Sequence, residues 1–399
     1  MRISTVTIYE QSVSSMNRQQ GDFMQVGQQI ATGRRVVNPS DDPQAAAQAV
    51  ATSQAIGITE QYTDSRVAAR NSLSQEESVL SSVGDAIAKA KTLIVQGVNG
   101  TLSDTDRASV ATELEGILET LVGQANATDG NGRFLFGGFS DNSTPFVDDG
   151  AGNISYVGDT NNREQRIDAS RLMPVSDHGE AVFLSVQNGA GYLAEADMGN
   201  TGEAVFTGPL IVDPTDPQFG DSFQVDFVDV AGTMHYSIDG GAPVPYEDGA
   251  SIEMGGLSLK LEGLPANGDS IQVGPAENMN TDLFATLNKA LTALRTSQVD
   301  NADTAAFRNS MSTVMRELDN SLDNVLTVQA SVGARLNELD VVDGVAENRM
   351  LSYRNNLSDL IDLDYTEAIS EYSLRQIGLQ AAQKSFVDIN GMSLFNFLK

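Results

Sequence analysis

The sequence predicts a mainly α-helical chain with an antiparallel β domain inserted in its middle. Apolar residues recur in threes and fours over both terminal thirds, the spacing of one helix face. Short alternating runs, punctuated by glycine, proline and aspartate, fill residues 134–278 instead. Charge divides the chain in the same way. Residues 140–280 hold 23 acidic and 4 basic side chains, so this stretch supplies 19 of the 30 net negative charges. Such a segment reads as a solvated surface module.

Length and composition set further bounds. A chain of 399 residues, 40% of them hydrophobic, has room for two or three domains with packed cores. The acidic balance excludes nucleic acid as a partner, because neutralising phosphates takes clustered Lys and Arg. There is no cysteine, hence no disulfide and no thiolate metal site, which suits a chain that is unfolded and exported. Met1-Arg2-Ile3-Ser4-Thr5 does not open a charged-then-apolar leader. No run reaches the ~20 apolar residues of a membrane span. The expectation is a protein with no membrane partner, made in the cytoplasm and exported, if at all, without a cleaved signal peptide.

The first helix carries Tyr9, Val13, Met16, Gln20, Phe23, Gly27 and Ile30 at spacings of four and three. This is a heptad seam with two soft positions, Gln20 and Gly27. It stops at Gly33. In Asn38-Pro39-Ser40-Asp41-Asp42-Pro43, Asp42 is placed to cap a second helix, with Pro43 in its first turn where a missing N–H costs nothing. That helix carries Leu73, Leu80, Ile87 and Ile94 seven apart, with Val83 and Ala90 between. Gly97–Thr101 breaks it, and Ser103-Asp104-Thr105-Asp106 reads as a capping box before Val110, Leu114, Ile117 and Leu121.

In the C-terminal third, Leu283, Leu287, Ala290 and Leu294 mark a short helix. The longest seam follows: Phe307, Met311, Val314, Leu318, Ser321, Val325, Val328, Val332, Arg335, Leu339, Val342 and Ala346. A helix from 302 to 359 would be roughly 87 Å long at ~1.5 Å per residue. A last seam runs Ile361, Tyr365, Ala368, Tyr372, Arg375, Leu379, Ala382 and Phe386. Terminal helices with such polar or glycine gaps cannot bury their stripes alone; they need each other or neighbouring subunits. The expectation is an assembly interface rather than monomer core, formed by Tyr9, Val13, Met16, Phe23, Ile30, Ile361, Tyr365, Ala368, Tyr372, Leu379, Ala382 and Phe386.

In the middle, Phe223–Val228 and Leu257–Leu261 read as strands and Asp239-Gly240-Gly241 as a hairpin turn. Gly-Asp-Ser-x-Gln-Val occurs at Gly220–Val225 and at Gly268–Val273, as a duplicated β unit or as recurring turn chemistry. The expected division is 1–37 with 361–399 as terminal helices, 38–139 with 279–360 as a helical rod, and 140–278 as the variable β-rich domain.

Catalytic chemistry lacks its parts. The two histidines, His178 and His235, both fall in the β-like middle, and there is no HExxH, GxSxG or P-loop motif. Asp141, Asp148, Asp149, Asp213, Asp216 and Asp221 lie in loop-like stretches, none with calcium-loop spacing, and read as turn residues. Gly137-Gly138 after Phe134-Leu135-Phe136 is followed by no GK[ST] and reads as a turn leaving the rod. No catalytic, cofactor or metal residue is assigned, and the chain reads as non-enzymatic.

Gln28–Pro43 resembles the N-terminal signature of the flagellin family, and its Asn-Pro-Ser-Asp-Asp-Pro form resembles the hook-associated branch. Leu322–Asn337 and Gly132–Phe139 are similar to the C-terminal rod and the domain exit of the flagellin-proximal junction members of that branch. The resemblance implies a flagellin-like fold, export through the flagellar type III channel, and self-association in a ring between the hook-side junction protein and flagellin. It also implies an inner tube of terminal helices, an exposed β domain, and a flagellar export chaperone bound through residues 355–399. Flagellin itself, and a ligand-binding or enzymatic module displayed by 140–278, stand as alternatives.

Overall fold

Three helices open the chain: α1 (Thr5–Thr32), α2 (Pro43–Gly97) and α3 (Asp104–Ala125). The computed structural model describes residues 5–150 and 152–392. The breaks fall where the sequence places them. Gly33 ends α1 with a left-handed backbone, φ 70°. Asp42 Oδ1 then accepts the Ala45 N–H at 3.0 Å, capping α2. At α3, Ser103 and Asp106 form the reciprocal box, and its hydrogen bonds hold the exposed Asp106 carboxyl below the usual carboxylate range.

The chain divides into two units, residues 65–340 and residues 1–64 with 341–399; α2 and α6 contribute to both. In the 65–340 unit, α2 packs with α3, α5 (Leu283–Arg295) and α6 (Asn301–Ile361): Leu294 and Val110 lie against Gly97, and Leu322 lies against Gly84. The seam positions are its core. Leu73, Leu80, Ile87, Ile94, Leu114, Leu287, Val314, Leu318 and Val325 are all fully buried.

Residues 134–184 also belong to this helical layer. They form two hairpins, β1 (Phe146–Asp148) with β2 (Ile154–Tyr156) and β3 (Glu164–Asp168) with β4 (Arg171–Pro174), and the short helix α4 (Gly179–Phe183). Phe146, tilted, and Phe183, stacked, pack on Phe284 of α5 with ring centroids 5.2 and 5.8 Å away. Asn324 of α6 donates to the Ala181 and Val182 carbonyls. The tight exit turn needs glycine at 138. Its φ is 62°, and a Cβ there would lie 2.1 Å from the Asp159 carbonyl oxygen.

The remaining strands form a β module with a core of its own. One sheet runs β5 (Tyr192–Ala196), β12 (Ser270–Pro275), β7 (Phe223–Val230), β8 (Thr233–Ile238) and β9 (Val244–Pro245). The other runs β10 (Ser251–Met254), β11 (Leu257–Glu262) and β6 (Val205–Ile211). Every strand pairing in the two sheets is antiparallel. Phe206, Val225, Phe227, Ile252, Leu259, Leu261, Ile271 and Val273 meet between the sheets. The repeated hexapeptides open β7 and β12, which are neighbours, with Gln224 opposite Gln272. Their aspartates differ in use: Asp269 accepts the Thr201, Gly202 and Ala266 N–H groups, whereas Asp221 engages its turn through its own N–H. The shared hexapeptide thus opens two neighbouring strands through different aspartate contacts.

Candidate functional site: the paired terminal helices

The 1–64 and 341–399 unit is built on α1 and α7 (Tyr365–Met392), which run antiparallel along each other. The Tyr9 ring lies 5.4 Å from Phe386 and the Phe23 ring 4.6 Å from Tyr372, so advancing along α1 means retreating along α7. The two seams thus meet in one chain. Val13, Met16, Phe23, Ile30, Tyr372, Leu379, Ala382 and Phe386 are half-buried, Ala368 is buried, and Tyr9 and Tyr365 are exposed.

The soft positions turn out to be fitted ones. A methyl group on Gly27 would already touch the Tyr372 ring at 3.6 Å, and one on Gly378 would meet the Gln19 side chain. Arg375 does not interrupt the stripe; it donates to Asp22 of α1 at 2.9 Å and to Glu371 at 2.9 Å. Both partners are substantially exposed, so such pairs contribute about 0–1 kcal/mol each.

Backbone ties join the two loops that follow α1 and precede α7. Arg35 N donates to the Ile361 carbonyl at 2.7 Å, Leu363 N to Gly33 at 3.0 Å, and the Arg35 guanidinium to Leu360 at 2.7 Å. The Asn38–Pro43 motif is a folded turn in this junction. Asp41 accepts the Val37 and Asn38 N–H groups, and Asp42 pairs with Arg35.

The seam was expected to face neighbouring subunits. The structure gives it a partner within the chain, and this corrects the placing of Phe23, Tyr372, Phe386 and Ala368 outside the monomer's own packing. What faces outward is a further set of apolar residues. Ile369, Leu374, Ile377 and Val387 are 54–69% exposed; at 3.6 residues per turn Leu374 and Ile377 lie on the side of α7 opposite Tyr372 and Leu379, while Ile369 and Val387 flank the seam. Met24 is exposed on α1, and an open trough of about 550 Å³ along α1 is lined by Tyr9, Glu10, Val13, Ser14, Asn17 and Arg18. The signal for these exposed residues was present: all four fall off the heptad register of α7.

Elsewhere the polar side chains serve their own turns. Asp148, Asp149, Asp213 and Asp216 accept loop N–H groups of Gly150, Asn153, Thr215 and Gln218. His178 bonds Asn162, and His235 bonds the Thr233 carbonyl. Among the described residues no three His, Cys, Asp or Glu side chains come together to hold a metal, and no helix is long and apolar enough to cross a membrane.

Residues 3–141 match the bacterial flagellin N-terminal helical region. The flagellar hook-associated protein 3 of Escherichia coli is 35% identical over 400 residues, covering all of both chains. The chain belongs to the flagellar hook-associated protein 3 family. The Salmonella typhimurium protein of that name is 35% identical over 396 residues, 99% of each chain. Among solved structures, hook-associated protein 3 from Legionella pneumophila is 26% identical with a TM-score of 0.70, covering 77% of this chain and 98% of that one. FlgL from Xanthomonas campestris is 28% identical with a TM-score of 0.67, covering 77% and 99%. The flagellin-family resemblance of Gln28–Pro43 and Leu322–Asn337 agrees with this membership.

Proposed function

We propose that the chain is a non-enzymatic structural subunit of the bacterial flagellum, seated at the junction between hook and filament. End-to-end likeness to hook-associated protein 3 carries this reading, and a protein of the same fold is described as a flagellar junction protein in Legionella pneumophila. The geometry fits a subunit that packs beside copies of itself. Apolar residues on the outer face of α7 lose nothing by being exposed only until neighbours cover them, and burying one large aliphatic side chain is worth about 1.5–3 kcal/mol. We take the assembly interface to be the α1–α7 pair as a unit. Its seam sets the pair's shape, and its exposed residues Ile369, Leu374, Ile377 and Val387 meet neighbouring copies. Its partners are then the hook-side junction protein on one side and flagellin on the other, with an export chaperone on residues 355–399 before assembly.

Antibody labelling of flagella under electron microscopy tests the reading. Label confined to the hook tip supports it, and label along the whole filament would make the chain a flagellin instead. A pull-down with the 355–399 segment tests the chaperone separately.

A further inference from the structure

Two glutamates are fully buried among the described residues, and they differ in one respect. Glu317 of α6 has Lys289 Nζ at 2.9 Å on one carboxyl oxygen and Thr286 Oγ1 at 3.0 Å on the other. Glu76 of α2, 1% exposed, accepts the Asp177 N–H at 2.9 Å through Oε1, while its Oε2 is buried without a hydrogen-bond partner. An ionised carboxylate cannot be left so in a dry site at tolerable cost; a neutral acid can.

The charges around Glu76 point the same way. The Asp177 side chain faces it from the loop after β4, and Arg335 from α6. Arg335 is already ion-paired with Asp177, so the site holds two carboxyl groups and one cation. The other ionisable groups at this loop have partners of their own: His178 bonds Asn162, and Arg163, reaching in from before β3, bonds Asp141. Burial, and then the charge of Asp177, hold Glu76 well above the usual carboxylate range, against the pull of Arg335 and the Asp177 N–H.

Glu76 also sits at a strap. Residues 164–179 lie across α2 and α6, fastened by Arg66 to the Ile167 carbonyl at 2.9 Å and by Arg335 to the Pro174 carbonyl at 3.3 Å. Arg171 is ion-paired with Glu338 of α6. Two further fastenings, the Glu76 bond to Asp177 N and the Arg335–Asp177 pair, converge on Asp177.

We propose that Glu76 is carried as a neutral carboxylic acid and works as a proton-held clasp, whose ionisation loosens the 164–179 strap from α2. The proton leaves to solvent and a second negative charge stays beside Asp177. Because Glu76 titrates higher in the folded chain than in the unfolded one, its contribution to stability is full below the ordinary carboxylate pKa. It is lost as pH rises through the raised value. The device is independent of the junction reading.

Isotope labelling of glutamate carboxyl carbons, followed by NMR from mildly acidic to alkaline pH, reads the proton directly. The resonance missing from Glu76→Gln is expected to titrate above all the exposed glutamates; a midpoint among theirs overturns the proposal. Tryptic cleavage after Arg166 and Arg171, normalised to a small peptide, reads the strap. It is expected to rise several-fold more in the wild type than in Glu76→Gln on going to alkaline pH, and an equal rise in both overturns the clasp. Should Glu76→Gln not fold, Asp177→Asn serves instead: it removes the like charge, and the shifted resonance must move down. No movement again refutes the assignment.

Discussion

Leu318 is fully buried near the middle of the α6 seam, and what surrounds it decides what a substitution there does. Leu318→Ala removes buried methyl groups and leaves a cavity, which costs about 2–5 kcal/mol. Leu318→Asp adds an unpaired carboxylate in a dry site and should cost more, the mechanism behind the largest single-residue losses. Thermal melts of the two variants and the parent should therefore fall in the order parent, Ala, Asp; an unchanged Asp melt would mean the seam faces water. Gly138 fails for a different reason. Its φ of 62° and the Asp159 carbonyl 2.1 Å from a would-be Cβ leave no room for any side chain. Gly138→Ala should lower the melt of a protein whose apolar burial is unchanged. A melt equal to the parent's would show that the exit turn can shift.

At the scale of elements, α1 and α7 are the test. Each has 28 residues, and their seam is mostly half-buried. Backbone ordering costs roughly 1–2 kcal/mol per residue, so a pair held by partial burial and exposed ion pairs is the weakest part of an isolated subunit. Limited proteolysis of the monomer should cut within 5–32 and 365–392 before it cuts the 65–340 unit; both ends surviving as long as that unit would count against it. The two faces of α7 then separate two roles. Tyr372→Asp places a carboxylate against the Phe23 ring and should unpair α1 from α7, lowering the helical circular dichroism of the monomer and stopping assembly. Leu374→Asp with Ile377→Asp should leave that signal unchanged and still stop incorporation at the hook tip. Normal incorporation of the double variant would show that the outer stripe is not the contact.

The same helices mark how far sequence reaches. Seams, caps and breaks were legible because each is local: Asp42 caps Ala45 three residues away, and Leu73, Leu80 and Ile87 follow one helix face. Periodicity identifies an apolar face but not its cover, so the seams of α1 and α7 could be assigned to each other or to neighbours with equal justice. For that reason the seams' cover within the chain was not legible, and neither were the off-register residues Leu374 and Ile377. The expected division puts residues 140–184 in the β domain, because their ties to the helices lie far apart in sequence. Arg66 to Ile167 and Glu76 to Asp177 each span 101 residues, and no local pattern encodes such a pairing.

For the whole molecule, those ties decide where the chain can be shortened. The expected cut at 140 and 278 would remove Phe146 and Phe183 from Phe284, and Asp177 from Glu76 and Arg335. That would expose a hydrophobic face of α5 and leave buried charges without partners, a loss of several kcal/mol from the helical unit. We place the cut at Gly191 and Ala276 instead. The Ala276 N–H donates to the Gly191 carbonyl at 3.0 Å, so the two ends already touch. The strands between them have their own core. Beneath them, α6 presents polar groups: Asn309 bonds the Phe206 N–H and the Ala204 carbonyl, and Thr313 bonds the Ala194 carbonyl. Water can replace the module at those groups, and Lys289 keeps Glu317 when Glu195 is gone. The excised residues 192–275 hold 14 acidic and 1 basic side chains, so the shortened chain loses 13 net negative charges and should migrate accordingly. Joined through a short glycine linker, it should melt as cooperatively as the parent and restore filaments to cells lacking the full protein. The 140–278 deletion should do neither. A 192–275 deletion that is stable and exported yet supports no filament would show that the β module takes part in assembly. A 140–278 deletion that assembles normally would show that the aromatic and ionic ties of 134–184 contribute little to the helical unit.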